Sequence, residues 1–550
     1  MRLACRLAAL IAAVLVSLQA LGQAQQRAVA TAYPLATRAA EEVLADGGNA
    51  FDAAVAASAA LAVVEPSGSG LGGGGFWLLH PASEGRAVMV DGREIAPSAA
   101  TRDMYQNPPD GLPASPSLAG PLAAGIPGEP AALAHMASEY GRLPLSRSLA
   151  PAIALARDGF EVDAEYQRKV RFRHDLLQSY PHSARIFLDG GDVPEPGYEL
   201  RQPELAGTLE RLAERGRAGF YQGRTAKRLV KAVREAGGIW RRSDLRDYSI
   251  VEREPVRFDY GAYRITAASL PSAGGIGLAT MLQILEGLDR DSLSRAGWVH
   301  WQIEAMRRAY RDRARHLGDP DFVEVPTARL TSRAYADELR AAIDPDQATP
   351  SDALQARRRG RDTTHFSIVD AEGNRVAATL SVNYPFGSGF VAEGTGVVLN
   401  DEMDDFATEP GTPNAYGLIG GRANAIEPGK RPLSSMTPTF VEGPKRTAVL
   451  GTPGGSRIIT MVLLGILEFT DGGDAEAMVG RARYHHQYRP DVIEFEPGAL
   501  APAIRRGLRS RGHALESAGR RYGDMQVVVR DRDSGEATAA SDPRGRSGGD

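Results

Sequence analysis

The chain has 550 residues, 43% of them hydrophobic and 24% charged, with a formal charge of −4 at neutral pH. That composition suits a globular enzyme with a sizeable core and excludes collagenous, coiled-coil and wholly disordered chains. Lysine occurs only at positions 169, 227, 231, 430 and 445, and the arginines form no basic stripe, so a general nucleic-acid binder is excluded as well.

At the N-terminus, Arg2 and Arg6 precede an apolar stretch from Leu7 to about Leu21, followed by small and polar residues. This is the pattern of a secretory signal cleaved after Gly22 or Ala24, and we read residues 1–24 as that signal. The apolar stretch is short for a span of about 20 residues, and Ser17 and Gln19 interrupt it. The one cysteine, Cys5, lies inside the signal, so the exported chain is expected to carry no disulfide and no thiolate metal site. The expected destination is the periplasm or the extracellular space. No membrane span is expected after signal removal, because Ala53–Val64, the longest later apolar stretch, fits a buried core helix.

Residues 35–46 read as an amphipathic helix stopped by Gly47-Gly48. Asn49 is placed to cap a second helix, with Asp52 in its first turn, running to Val64 and halted before Pro66. A glycine run from Gly68 to Gly75 follows, then alternating apolar residues that predict strands through Val90. Regions 127–235 and 296–343 are helical in pattern, and Val256–Ser269 predicts strands. Asp346–Asp362, with the run Arg357-Arg-Arg-Gly-Arg361, has the composition of an exposed tether. Directly after it, Thr364–Asp370 alternates as a strand, Glu372-Gly-Asn374 makes a turn, and Val376–Val382 makes a second strand. A polar tether running straight into a β-hairpin at a Thr-Thr pair marks the junction as a processing site.

Several strings carry the chemistry. They are Gly47-Gly-Asn-Ala-Phe-Asp52, Leu71-Gly-Gly-Gly-Gly-Phe76, Gly92-Arg-Glu-Ile-Ala-Pro97, Thr363-Thr-His-Phe-Ser367, Asn400-Asp-Glu-Met-Asp-Asp-Phe406, Arg431-Pro-Leu-Ser-Ser-Met436 and Gly451-Thr-Pro-Gly-Gly-Ser-Arg457. Each alone is a weak signal. All seven, in this order and spacing over about residues 27–544, resemble the γ-glutamyltranspeptidase family of the N-terminal-nucleophile hydrolases.

The resemblance implies an α+β fold: a four-layer αββα sandwich formed jointly by two fragments of one precursor, residues 25–362 and 363–550. It implies self-cleavage before Thr363, in which the Thr363 hydroxyl attacks the carbonyl of Asp362. Cleavage frees an α-amino group on Thr363, whose ordinary pKa of about 7.7–8.0 suits a general base near neutral pH. Nucleophile and base then sit on one residue. Ser381 stands where the family's second hydroxyl, usually Thr, hydrogen-bonds the nucleophile. Asn383, read as lying on the same strand face, matches a contact to the α-amino end of the donor. The α-carboxylate would be taken by Arg93, as a bidentate pair, and by the hydroxyls of Ser434 and Ser435. Glu402 and Asp405 match the acidic pair that holds the α-ammonium. Gly454 and Gly455 match the pair whose N–H groups stabilise the oxyanion of acyl transfer. Pro410–Gly421, with Tyr416 at its centre, resembles a lid over the pocket and implies small donors.

The expected partners are therefore small γ-glutamyl donors such as glutathione, with water or an amino acid or peptide amine as acceptor, and no cofactor or metal. A glutaryl acylase of the same family and a non-catalytic exported binding protein are the alternatives. The paired carboxylates argue against the first, since glutaryl has no α-amino group. Retention of Thr363, Arg93 and the glycine pair argues against the second. Gly545-Arg-Ser-Gly-Gly549 fits a serine-hydrolase elbow only formally, since nothing can flank it at the chain end. His485-His486 lacks the carboxylate spacing of a zinc site and reads as structural or as a surface pair.

Overall fold

The computed structural model describes residues 26–351 and 363–545, apart from 107, 109 and 110. The signal segment with Cys5, the tether from residue 352 through Asp362, and all but the first residue of the Gly545–Gly549 string lie outside the described residues. Among the described residues no helix is long and apolar enough to cross a membrane.

Twelve strands build two six-stranded antiparallel sheets. In chain order they are β1 (Ala28–Thr31), β2 (Gly74–His80), β3 (Val88–Gly92), β4 (Val251–Arg253), β5 (Val256–Tyr260), β6 (Tyr263–Ala267), β7 (Thr364–Val369), β8 (Arg375–Ser381), β9 (Thr439–Glu442), β10 (Arg446–Gly451), β11 (Gln526–Asp531) and β12 (Ala537–Ser541). The first sheet runs β1-β7-β8-β2-β3-β4, and the second β12-β11-β10-β9-β6-β5. They face one another, with β7 and β8 against β10, and β1 and β7 against β11. Each sheet mixes strands from before and after residue 363, so neither part of the chain completes a sheet alone. The fold is α+β, as the resemblance implied.

The period of two along each strand sorts the side chains. On β2, Phe76 and Leu78 join the core shared with the second sheet, whereas Trp77 and Leu79 join the core under the helices. On β7, Phe366 and Ile368 turn to the helices. Helices α1 (Pro34–Ala45) and α2 (Ala50–Val64) cover that face of the first sheet, and α3 (Gly274–Glu286) and α5 (Ile458–Thr470) contact the second, with α4 (Arg295–His316) packed on α3. Helix α2 is buried along its whole length, which explains its lack of a polar face. Its start is fixed as predicted: Asn49 accepts from Phe51 and Asp52 N–H groups, and Asp52 accepts from Asn49 N–H at 2.9 Å, a reciprocal capping box. Asp370 ties this helix to the hairpin. It accepts from Ala50 N–H at 2.9 Å and from Asn374 N–H at 2.9 Å, closing the turn between β7 and β8.

The glycine run ending at Gly75 enters β2 at Gly74. Its glycines are needed for close approach. A Cβ on Gly73 would sit 2.1 Å from the Ser381 carbonyl oxygen, and one on Gly72 would sit 1.8 Å from that of Val398. Gly73→Ala is expected to push β8 away and cost about 1–3 kcal/mol, the range for overpacking. Calorimetry should then show a fall in Tm of about 1–3 degrees for a chain of this size, and an unchanged Tm would mean that the strands are not pressed together there.

Candidate active site

The register of the β7–β8 hairpin places Thr363. Leu380 pairs with Thr364, so Ser381 lies opposite Thr363 in an antiparallel ladder. Their hydroxyl oxygens are 3.4 Å apart. Thr363 shares its face with His365 and Ser367, which point into the layer between the sheets, as the alternation requires. His365 hydrogen-bonds the Thr379 hydroxyl (2.8 Å) and the Ser367 hydroxyl (3.2 Å). Burial pulls its pKa down to about 3, so at neutral pH the ring is an uncharged part of the core and no general base.

One residue departs from its expected place. Asn383 is not on the strand face: β8 ends at Ser381, and Asn383 has a left-handed φ of 75°. That turn lets its N–H donate to the Ser381 hydroxyl (2.7 Å), while its amide donates to the Asp401 carbonyl (2.9 Å). Asn residues tolerate this conformation better than most, so the site keeps the residue but holds it by a turn.

Nine of the ten residues singled out from the sequence line one pocket: Thr363, Ser381, Asn383, Arg93, Glu402, Asp405, Ser434, Ser435 and Gly455. Gly454 stands next to it, opening the short 3-10 turn Gly455–Arg457 that leads into α5. N–H groups at a helix start lack intrahelical acceptors and attract negative charge. The close seat of Tyr416 demands Gly455, where a Cβ would lie 2.3 Å from the tyrosine ring.

The charged end of the pocket is one buried cluster. Arg93 follows β3 and is 1% exposed. Its Nη2 donates to Asp405 Oδ2 at 2.6 Å, its Nη1 lies 2.8 Å from Glu402 Oε2 and 3.4 Å from Glu94 Oε2, and its Nε donates to the Pro432 carbonyl at 3.3 Å. The 3-10 turn Glu402–Asp405 brings two residues three apart onto one side. That turn is held by Asn400, whose amide donates to the Gly72 (2.7 Å) and Gly125 (2.9 Å) carbonyls. Burial raises the Glu94 carboxyl to about 7, against the opposing pull of Arg93. Burial likewise holds Glu402 well above the usual carboxylate range. Burial alone would lower the Arg93 guanidinium, but Glu402, Glu94 and Asp405 together raise it. Thus the residues assigned to opposite ends of the donor touch one another. This fits a ligand whose ammonium and carboxylate share one carbon, since their partners must then lie within a few ångströms.

Two oxygens of Glu402 and the hydroxyl of Ser435 are buried without a hydrogen bond among the described residues. Ser434 accepts from Met436 N–H at 3.0 Å and keeps its own proton to donate. The 410–421 loop closes over these groups. The Tyr416 hydroxyl donates to the Asn383 carbonyl at 2.7 Å, Asn414 donates to Asp405 at 3.2 Å, and Ala415 N–H donates to Asp404 at 2.9 Å.

Sequence reasoning missed Arg313, Met436, Leu418 and Ile458 as pocket residues. Met436 ends the Arg431–Met436 string, so it was within sight. Arg313 had only a faint signal: it follows Met306 and Tyr310 at helical spacing, and so stands as a cation on an otherwise buried stripe of α4. His485 and His486 are both buried, so the pair is structural and not a surface feature. His485 bonds Thr460 (2.8 Å), and His486 bonds Asp491 (3.2 Å). Elsewhere among the described residues, His300, Glu304 and His513 approach one another closely enough for a cation. Glu304, however, is already paired with Arg307 (3.2 Å) and Arg308 (2.6 Å), and the two rings hydrogen-bond each other at 2.8 Å.

Comparison with known proteins agrees with this geometry. The sequence profile of the Gamma-glutamyltranspeptidase family matches residues 36–549. The glutathione hydrolase proenzyme of Pseudomonas sp. (strain A14) is 43% identical over 501 residues, covering 89% of this chain and 86% of that protein. Among solved structures, cephalosporin acylase from Bacillus halodurans superposes with a TM-score of 0.83 at 28% identity, over 94% of each chain. Helicobacter pylori gamma-glutamyltranspeptidase gives 0.56 at 37% identity, over 59% of this chain and 93% of that one. With the Thr363 hairpin, Gly455 and the buried charge cluster lining one pocket, and with this profile across nearly its whole length, the chain belongs to the gamma-glutamyltranspeptidase family.

Proposed function

We propose that this chain is a γ-glutamyltransferase and glutathione hydrolase that matures by cutting itself before Thr363. The observation that carries the reading is the Thr363–Ser381 hydroxyl pair, facing a pocket whose far wall is the Arg93–Glu402–Asp405 cluster. The Thr363 hydroxyl attacks the Asp362 carbonyl, the peptide becomes an ester, and water releases residues 25–362 from residues 363–550. The freed α-amino group of Thr363 takes the hydroxyl proton in the next cycle. The hydroxyl then attacks the γ-carbonyl of the donor, with the Gly454 and Gly455 N–H groups aimed at the developing oxyanion. The amine leaves with the proton, and water or an acceptor amine resolves the γ-glutamyl ester.

In this reading Glu402 and Asp405 hold the donor's α-ammonium near Asn383, and Arg93, Ser434 and Ser435 take its α-carboxylate. Mixing of strands from both sides of residue 363 in each sheet supports a heterodimer of the two fragments in a four-layer αββα sandwich. So does the H. pylori chain, 93% of which aligns with only 59% of this one. The enzyme acts after export, once residues 1–24 are removed. The likeness to a cephalosporin acylase keeps glutaryl donors as the second reading.

Two outcomes test this. Intact mass of the wild type should give two fragments, the smaller beginning at Thr363, and Thr363→Ala should stay one inactive chain; cleavage of that variant at the same bond would remove Thr363 as nucleophile. The second concerns pH. Burial pushes the Glu94 carboxyl up towards neutral pH, and its negative form favours an ammonium nearby. The ratio of kcat/KM for γ-glutamyl over glutaryl 4-nitroanilide should exceed one and climb between about pH 6 and 8. The climb should be smaller in Glu94→Gln, with the raised Glu402 supplying what remains. Both donors share the Thr363 base, so its titration cancels; a ratio below one would favour the acylase reading.

A further inference from the structure

His485 stands in a buried run of hydrogen bonds that ends on the loop covering the pocket. Gln487, two residues on, is 3% exposed, and its Nε2 donates to the Gly417 carbonyl at 3.1 Å and to the Tyr416 carbonyl at 3.3 Å. An amide nitrogen carries two N–H donors and a carbonyl only accepts, so these two carbonyls fix which way the amide faces. Its Oε1 then accepts from His485 Nε2 at 2.9 Å, and the ring proton is assigned to that nitrogen. The other ring nitrogen, Nδ1, lies 2.8 Å from the hydroxyl of Thr460 in the first turn of α5, and that hydroxyl is 2.9 Å from the Arg457 carbonyl. Arg457 closes the 3-10 turn begun by Gly455, and its N–H donates to the Gly454 carbonyl at 3.2 Å. Tyr310 of α4 sets its ring edge-on to His485, with centroids 5.5 Å apart, and donates its hydroxyl to the Ser456 carbonyl of the same turn. Thr460, His485 and Gln487 thus join the Gly454–Arg457 turn to the tip of the 410–421 loop, and none of the three lines the pocket.

Tyr416 is therefore held from two directions. Its hydroxyl reaches forward to the Asn383 carbonyl and its ring fills the space beside Gly455, while Gln487 holds its carbonyl from behind. Resting on the γ-glutamyl reading of the pocket, we propose that Gln487 is a positioning residue that latches the 410–421 loop over the bound donor, with His485 fixing the direction of its amide. An apolar side chain of the same length would fill the space equally well and would offer the Tyr416 and Gly417 carbonyls no donor, so packing alone does not call for an amide here.

The test uses the self-cleaved enzyme. In Gln487→Met, which keeps the length of the side chain, amide hydrogen exchange across residues 410–421, read by mass spectrometry, should quicken about five- to thirtyfold, as for loss of two neutral hydrogen bonds. Exchange in the 364–381 hairpin should change less than about twofold. KM for γ-glutamyl-4-nitroanilide should rise by a similar five- to thirtyfold, with kcat changed less than about threefold. In a Tyr416→Ala background, which lacks the side chain that reaches Asn383 and Gly455, the same substitution should change KM less than about twofold. Unchanged exchange in the loop would overturn the proposal. So would an equal KM loss with and without the Tyr416 side chain, which would make Gln487 a packing residue. If Gln487→Met does not cleave itself, Gln487→Glu decides by the same two measurements, since it keeps the shape and the acceptor for His485 and removes the amide donors. The exchange measurement needs no substrate. Failure of the wild type to release nitroaniline would therefore sink the functional reading, while the latch would still stand or fall on the loop's exchange.

Discussion

The register between β7 and β8 is the constraint from which the site follows. A side-chain period of two means that a one-residue slip would turn Thr363 into the helix-facing layer. The register is held at both ends. Asp370 closes the turn and caps the N-terminus of α2, and at the open end the Ser381 carbonyl abuts Gly73, where no side chain fits. Apolar Phe366 and Ile368 anchor one face, and polar His365, Ser367 and Thr379 satisfy each other on the opposite face. His365, Ser367 and Thr379 thus satisfy one another between the two sheets, and Thr363 and Ser381 pair at the next rung of the same face.

Electrostatics shape the other half of the pocket. Three carboxylates around one buried guanidinium form a cluster whose charges cannot all be satisfied internally, and burial raises Glu94 and Glu402 accordingly. Such an arrangement is poor evidence for stability and good evidence for a site awaiting a cation. The loop over it is tied to the same groups: Asn414 to Asp405, Ala415 to Asp404, and Tyr416 to the turn at Asn383. Lid position and the charge that greets the donor are therefore coupled through shared atoms.

Much of this was legible beforehand because it is encoded locally. The Asn49–Asp52 capping box, the strand–turn–strand at 364–382 and the stop at Gly47-Gly48 each depend on residues a few positions apart, and the structure has them within a residue or two. The candidate site was legible for a different reason: its residues sit in short strings whose order resembles a family's. What could not be read was anything set by contacts between distant segments. Asn383 looked like a strand residue because the sequence alternates through it, yet the Asp401 backbone draws it into a turn.

From the sequence alone came the residues that meet in the pocket, through motif order, and the bounds of the first two helices and of the 364–382 hairpin, since periodicity, caps and motif spacing are properties of neighbouring residues. Only the tertiary structure decided that Arg93 pairs with the very carboxylates assigned to the other end of the donor, that the glycine run exists to let Ser381 approach, and that Arg313 enters the pocket from a helix whose many arginines look alike in sequence. Burial and charge pairing arise where segments hundreds of residues apart meet, and no local pattern records which arginine will line a pocket.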